Sequence, residues 1–365
     1  MNKTIYFLLP GKDVDQNNWQ CVPVGGYKVV YEYANRLAQD GNKVILAYSH
    51  TRCNESFLKC IKTFVGYYYR KAKGQLKSGE YFSFHDNVKK IFPYRFSSHW
   101  LNVEHDAIVV ATSYFTSVEL NKLKCIPIVQ KYHFIQGHEL WEGTEDDLAA
   151  SYRFGMHNIV IAPWLQEKVE QAGAKATLIT NGFNFEEFTL MQPIDSRQPH
   201  EIVMLNHTLD HKRCKDSWAA LELVKRQVPD LHVTMFGTCP APQNMPSWYT
   251  YFQSPIKSKL NEIYNNGAIY VAASDFEGFG LTIGEAMICG CAVACTNNGG
   301  FTCMAKDDDT ALVSEVYDVE ALATNVLRLI KDNALRLRIA TSGNCFIQNF
   351  SWNNSYLKLK SLIDA

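Results

Sequence analysis

Ser274-Asp275-Phe276-Glu277-Gly278-Phe279-Gly280-Leu281-Thr282-Ile283-Gly284-Glu285-Ala286-Met287 is the stretch whose reading decides the fold. The apolar run Ile269–Ala272 precedes it. A helical segment around Ile283–Ile288 and a second apolar run, Ala292–Cys295, follow. Strand, Gly-rich loop, helix and strand make one unit of a parallel sheet covered by helices. Gly278 and Gly280 remove side chains where a ligand must approach the backbone. Free amides and the dipole at the start of the helix suit a diphosphate. Glu277 stands before the glycines and Glu285 inside the helix. A carboxylate there accepts hydrogen bonds from sugar or ribose hydroxyls. The plainer alternative is an exposed helix start with ordinary acidic residues.

The same grammar extends outward. Upstream lie the apolar run Ile202–Leu205, a helix core over Trp218–Val224, and the run Leu231–Phe236 ending at Gly237. Downstream, the segment from Asp318 reads as two helices, the final one over Trp352–Leu362. Gln192–His200, with Pro193 and Pro199, reads as a linker. Before it the pattern begins again. Ile5–Leu9 is a strand running into Gly11, Lys12 and Asp13, and a turn-rich segment ends at Gly25-Gly26. Val29, Val30, Tyr33, Ala34 and Leu37 fall on one helical face, Gly41 ends that helix, and Val44–Ala47 is the next strand. Ala107–Ala111, Pro127–Val129 and Ile159–Ala162 continue the strands. The expected class is α/β: two doubly wound Rossmann-like domains facing each other across a cleft. The expected bounds are 1–192, 193–345, and a C-terminal helix over 346–365 returning to the first domain. Open α/β sheets bind ligands beyond the carboxyl ends of their strands.

The 365 residues suit about two domains. A net charge of -1 gives no electrostatic case for nucleic acid as a partner. No apolar run approaches the ~18 residues of a membrane span. Met1–Pro10 lacks signal-peptide anatomy, so the expectation is a cytoplasmic chain whose 11 cysteines are reduced. Cys289 and Cys291 read as small buried residues. Asp307-Asp308-Asp309 reads as a turn after Lys306, and no Asp-x-Asp metal motif stands out, so neither metal nor cofactor is expected.

Glu277 and Glu285, set in Glu-Gly-Phe-Gly-Leu-x-x-x-Glu-Ala-Met, resemble the signature of the retaining family 4 glycosyltransferases, which have the GT-B fold. Gly290-Cys291-Ala292-Val293, Thr296–Gly300, Ala311-Leu312-Val313, the Gly25-Gly26 loop, Asn181–Asn184 and Phe350-Ser351-Trp352 extend the resemblance over most of the chain. It implies transfer of a hexosyl or deoxyhexosyl group from a UDP-, dTDP- or GDP-linked sugar. Glu285 would bind the ribose, Glu277 the donor sugar, and the backbone of Gly278, Phe279, Gly280 and Leu281 the sugar and phosphate. Gly237 and Ser254-Pro255-Ile256 occupy the stretch that would meet the base.

Departure of the nucleotide leaves negative charge that needs a cation. The resemblance implies an arginine and a lysine after the first strand of the second domain. Lys212 fits the lysine. Asn206 stands at the arginine position, a departure for which His207 or Arg213 are the candidates to compensate; a solvated basic loop is the plainer reading. His133-Phe134-Ile135-Gln136-Gly137-His138-Glu139-Leu140-Trp141 resembles a subgroup of bacterial polysaccharide and rhamnan assembly enzymes, with Gln136-Gly137 replacing the usual His-Asp pair. His133, His138 and Glu139 are then the acceptor-side candidates, and His138 a catalytic candidate in a positioning role. The acceptor would be a saccharide or lipid-linked saccharide of bacterial surface polysaccharide. The alternatives are a nucleotide-sugar-binding module without activity and a sugar-nucleotide epimerase. Residues 64–77, where Phe64, Val65 and Tyr67–Tyr69 precede Arg70, Lys71, Lys73 and Lys77, suit either a peripheral membrane contact at the inner face or an ordinary solvated helix.

Overall fold

The computed structural model describes residues 2–11, 21, 24–49 and 57–364. Lys12 and Asp13 of the first turn lie outside the described residues. The chain divides into two compact units, Met1–Ile179 with Tyr356–Ala365, and Thr180–Ser355.

The first unit holds β1 (Thr4–Leu9), α1 (Gly25–Gln39), β2 (Lys43–Tyr48), α2 (Phe57–Ala72), β3 (Val88–Ile91), β4 (Ile108–Ala111) and α3 (Tyr114–Lys122). It continues with β5 (Lys131–Ile135), α4 (Glu145–Tyr152), β6 (His157–Val160), α5 (Pro163–Gln171) and β7 (Ala176–Leu178). Its sheet runs β3-β2-β1-β4-β5-β6-β7, and every pairing is parallel. Strands buried on both faces must be apolar throughout rather than alternating. Ile108–Ala111 is accordingly apolar and buried at every residue, whereas Lys131–Ile135 is buried throughout although it carries Lys131 and His133. The strand expected at Pro127–Val129 is displaced. Ile128–Gln130 forms a 3-10 turn with Val129 67% exposed, and β5 begins at Lys131. Pro127 fixes φ at -58° and starts a turn rather than pairing.

The second unit repeats the plan with β8 (Glu201–Leu205), α6 (Cys214–Lys225), β9 (His232–Gly237), β10 (Tyr249–Gln253), α7 (Lys257–Asn266) and β11 (Ile269–Ala272). It continues through α8 (Leu281–Ile288), β12 (Ala292–Thr296), β13 (Leu312–Ser314), α9 (Val319–Lys331) and α10 (Asn333–Ile347). The order is β10-β9-β8-β11-β12-β13, again wholly parallel. Both sheets reverse direction beside their first strand, the doubly wound pattern of a Rossmann domain. The segment from Asp318 contains three helices, not two. Asp332 breaks the run, its carboxylate accepting from Leu335 N at 2.9 Å as the N-cap of α10. The last helix, α11 (Trp352–Asp364), ends the chain.

The first boundary falls at 179/180, earlier than 192/193. Residues 180–192 pack on the second unit. Phe183 N donates to Phe350 O at 2.8 Å, Thr189 N to Asn261 Oδ1 at 3.2 Å and Met191 N to Asn265 Oδ1 at 2.7 Å. The linker itself is pinned by Arg197. Its buried guanidinium donates to the carbonyls of Gly267, Gln192 and Cys289. A polar stretch with two prolines reads as a linker, but a buried arginine that satisfies carbonyl groups makes it part of a domain. The chain re-enters the first unit at Tyr356, inside α11. Asp40 accepts there from Tyr356 Oη at 2.7 Å and from Lys360 Nζ.

Candidate active site

In the second unit the sheet reverses between β8 and β11, so the loops leaving these neighbouring strands diverge and open a crevice. These loops are 206–213 and 273–280. Asp275 N donates to His211 O at 3.0 Å, which ties one loop to the other. Above that link, Lys212 Nζ donates to both carboxylate oxygens of Glu277, each at 2.8 Å. The pair is 21% and 11% exposed, desolvated enough for the charges to matter yet open to a ligand. Ser274 Oγ donates to Glu277 Oε1 at 2.9 Å and orients the carboxylate.

The loop after β11 ends at Gly280, the N-cap of α8. Its φ of +90° lies in the left-handed region that glycine tolerates without penalty. A Cβ there would lie 2.6 Å from Phe301 Cδ1. Glycine at the cap offers no side chain to the first-turn amides of α8, so this helix of 8 residues begins without a side-chain cap on its positive end. Phe279 is 3% exposed and packs against Phe183 and Phe350 at 6.1 and 6.0 Å, so its ring is committed to the core. Glu285 lies one turn into α8. Tyr264 Oη, on fully buried Tyr264, donates to its Oε2 at 3.1 Å. Burial, reinforced by the Glu285 charge, pushes the Tyr264 phenol well up, so it stays a donor.

The remaining second-unit candidates have partners other than Glu277. Asn206 Nδ2 donates to Cys239 Sγ at 3.3 Å. Arg213 turns to a different partner from Lys212. It is paired with Asp216 at 2.7 Å and lies 4.8 Å from the ring of Tyr317, whose hydroxyl donates to Asp275 at 2.8 Å. His207 Nδ1 accepts from Leu209 N at 3.0 Å. Burial first, then the Lys212 and His211 charges, lower its pKa and keep it neutral. Gly237 has an internal reason to be glycine: a Cβ would lie 2.1 Å from the Asn206 carbonyl oxygen. Ser254 N donates to Gly237 O at 2.7 Å, Ser254 has φ +47°, and exposed Ile256 caps α7 beside Pro255. Asp307–Asp309 form the expected turn. Asp307 accepts from Val313 N, Asp308 from Arg338 and Asp309 from Ser342.

In the first unit Gly25 and Gly26 open α1. A Cβ on Gly26 would meet Gln136 Oε1 at an ordinary 3.4 Å. His138 is 6% exposed, and both ring nitrogens are engaged: Nδ1 with Tyr152 Oη at 3.1 Å, Nε2 with Glu145 Oε2 at 2.6 Å. Glu139 accepts from Tyr114 N at 2.6 Å at the start of α3. His133 corrects its expected place on the acceptor side. It is 2% exposed in the middle of β5, where it borders a small cavity shared with Tyr114, Gly137, Glu139 and Tyr152, and burial lowers its pKa to about 3. Ser274, Tyr264 and Tyr152 escaped sequence reasoning, because single hydroxyls carry no periodic or spacing signal.

Comparison with known proteins agrees with this geometry. Residues 189–344 match the family model of glycosyl transferases group 1. The match lies within the second unit and takes in Lys212, Glu277 and Glu285. The O-antigen chain mannosyltransferase B of Escherichia coli is 32% identical over 107 residues, 29% of this chain and 28% of that protein. The chain thus covers about a quarter of the length of the first curated relatives. Among solved structures, Anabaena HepE in complex with UDP and glucose superposes with a TM-score of 0.72 at 13% identity, covering 100% of both chains. The sucrose-phosphate synthase of Thermosynechococcus elongatus gives 0.70 at 17% identity, covering 100% of this chain and 98% of that one. These likenesses establish the GT-B fold class, two Rossmann-like domains. The group 1 match is a likeness of the second unit to glycosyl transferases and covers less than half of the chain.

Proposed function

We propose that the chain transfers a hexosyl or deoxyhexosyl group from a nucleoside diphosphate sugar to a saccharide or lipid-linked saccharide acceptor, with retention and without a metal ion. The observation that carries this reading is the Lys212–Glu277 pair, held in the switch-point crevice beside the first turn of α8, which has no side-chain cap. A diphosphate seated at that turn meets helix amides and an ammonium together. Glu277 lies where a donor sugar hydroxyl would be held. Glu285, oriented by Tyr264, lies one turn along, where a ribose would follow. The UDP and glucose in Anabaena HepE support the donor class, and the O-antigen relative supports an acceptor of surface polysaccharide.

In the reaction the bond from the anomeric carbon to the phosphate oxygen breaks, and its electrons stay on the departing diphosphate. The acceptor hydroxyl bonds to the same face of the sugar, and its proton passes to the leaving phosphate oxygen. Lys212 and the α8 amides stabilise the charge that develops there, which is where preorganised groups accelerate most. His138, fixed by Tyr152 and Glu145, acts as a positioning group on the acceptor side. Asn206, neutral where the resemblance implies arginine, favours a second reading, a binding module without turnover.

The test starts with a thermal-shift screen against UDP-, dTDP- and GDP-linked sugars, since a ligand of the folded state raises its stability. Purified protein and the stabilising donor are then followed for sugar release and transfer, with and without chelator, and the product anomer is read by NMR. Transfer with retained configuration in chelator is expected. Binding without turnover supports the module reading, interconverted donor an epimerase, and activity lost to chelator and restored by Mg²⁺ overturns metal independence.

A further inference from the structure

Residues 57–79 contain Lys59, Lys62, Arg70, Lys71, Lys73 and Lys77 and no aspartate or glutamate. Most of this stretch is α2. One face of α2 is anchored. Tyr67 is 2% exposed, donates its hydroxyl to Phe92 O at 3.0 Å, and packs with Tyr94 and Trp100. The other side carries an apolar face that is largely exposed, with Phe64 at its edge still packed on Tyr94 and Trp100. Ile61, Val65 and Tyr69 are 48, 63 and 61% exposed, with Phe64 and Tyr68 beside them at 41 and 46%. At about 100° per residue these five span an arc of roughly 140°. Exposed Lys71 follows the arc on one side, and exposed Lys62 and Lys73 on the other. Scattered exposed apolar residues are ordinary; five on one arc are not.

We infer that α2 is an interfacial helix that seats the first unit on an anionic lipid bilayer. The charge pattern selects this occupant. Two copies of the face brought together would oppose cations with no acid in the stretch to relieve them. Aromatic rings between lysines match the depth profile of a headgroup region, where rings lie among the acyl ends and ammonium groups reach back to phosphates. No helix of the described residues is long and apolar enough to cross a membrane, so attachment by this helix would be peripheral. None of these α2 residues belongs to the proposed active site.

The test is cosedimentation of the full chain with vesicles of pure phosphatidylcholine and of phosphatidylcholine with phosphatidylglycerol, at low and at ~0.5 M salt. Binding is expected only to the anionic vesicles and should be screened by salt. Two surface variants, Val65→Glu/Tyr69→Glu and Lys62→Glu/Lys71→Glu/Lys73→Glu, should each weaken binding at least about tenfold. Both should keep the wild-type melting temperature and donor turnover without vesicles. Failure of the wild-type protein to bind anionic vesicles, or unchanged binding by both variants, overturns the inference. So does wild-type protein that sediments as a dimer which the variants dissociate, because a second copy would then cover the face.

Discussion

Lys212 is the residue on which the proposed chemistry turns. Its ammonium is already matched to Glu277, and its interaction with the departing diphosphate grows only as the glycosidic bond breaks. Such interactions appear in kcat rather than KM. Lys212→Ala should therefore lower kcat by ~10²–10³ and leave KM within a few fold. Lys212→Arg should rescue little, because a planar fork replaces a point charge badly. Steady-state kinetics with the matched donor checks both, and near wild-type kcat in the alanine variant would transfer the role elsewhere. Tyr264→Phe probes Glu285 more gently than removing the carboxylate. Losing this orienting donor should weaken nucleoside diphosphate binding by about 0.5–1.5 kcal/mol in calorimetry, and equal affinity would show that ribose binding does not depend on the Tyr264–Glu285 hydrogen bond. His133 offers a pH signature. Its folded pKa, about 3, lies below its unfolded value near 6.5, so the unfolded chain binds the extra proton. Its contribution to stability is complete above pH ~6.5 and is lost as pH falls through the window toward 3, with a slope of at most about 1.4 kcal/mol per pH unit. Denaturant titrations at several pH values should show His133→Asn losing less stability on acidification than the wild-type protein. Parallel curves would refute the assignment.

At the scale of elements, α8 begins where a left-handed residue turns the chain out of β11, and the amides it leaves without a side-chain cap are the proposed phosphate contacts. Gly280→Ala must adopt φ near +90° and push into Phe301, at a cost of about 1–2 kcal/mol from backbone handedness alone. The expected outcome is a lower melting temperature together with weaker nucleotide binding. A stable variant that binds normally would show that α8 can start in another way. The sequence announced this element well, because a Gly-rich loop between an apolar run and a helical run has few other readings. It announced β5 badly. Proline-led apolar residues at 127–129 look like a strand, while the true strand contains Lys131 and His133. Lys131 lies buried because its ammonium donates to the carbonyls of Leu120 and Leu123, each at 2.9 Å. A strand that buries two ionisable side chains is invisible to hydrophobic patterning.

Across the whole molecule, the last helix carries the chain back into the first unit. Asp40 is its main polar anchor there, accepting from Tyr356 and Lys360, while Lys3 Nζ donates to Ile363 O at 2.7 Å. The Lys360 and Tyr356 hydrogen bonds, largest first, lower the Asp40 pKa. The anchor is therefore complete above the ordinary carboxylate range and is lost as pH falls below it. Asp40→Ala should raise hydrogen exchange across 356–364 at neutral pH while leaving the second unit's exchange unchanged. Protection in that segment equal to wild type would mean that its apolar contacts suffice.

The sequence by itself determined the class of the fold. Alternating apolar runs and helical periods leave little but two parallel sheets wound on both sides, and the Glu277–Glu285 segment singles out the loop after β11 in the second. Those signals are local, carried by residues within one or two elements of each other. Only the tertiary structure decided which cation meets Glu277. Lys212 and Arg213 are adjacent in the chain, yet Lys212 turns to the carboxylate 65 residues away and Arg213 turns back to Asp216. It likewise decided that Tyr264 supports Glu285, that His133 is buried within β5, and that Arg197 draws the linker into the second unit. Each depends on which strands became neighbours, and pairing of β8 with β11 across 60-odd residues leaves no trace in local periodicity.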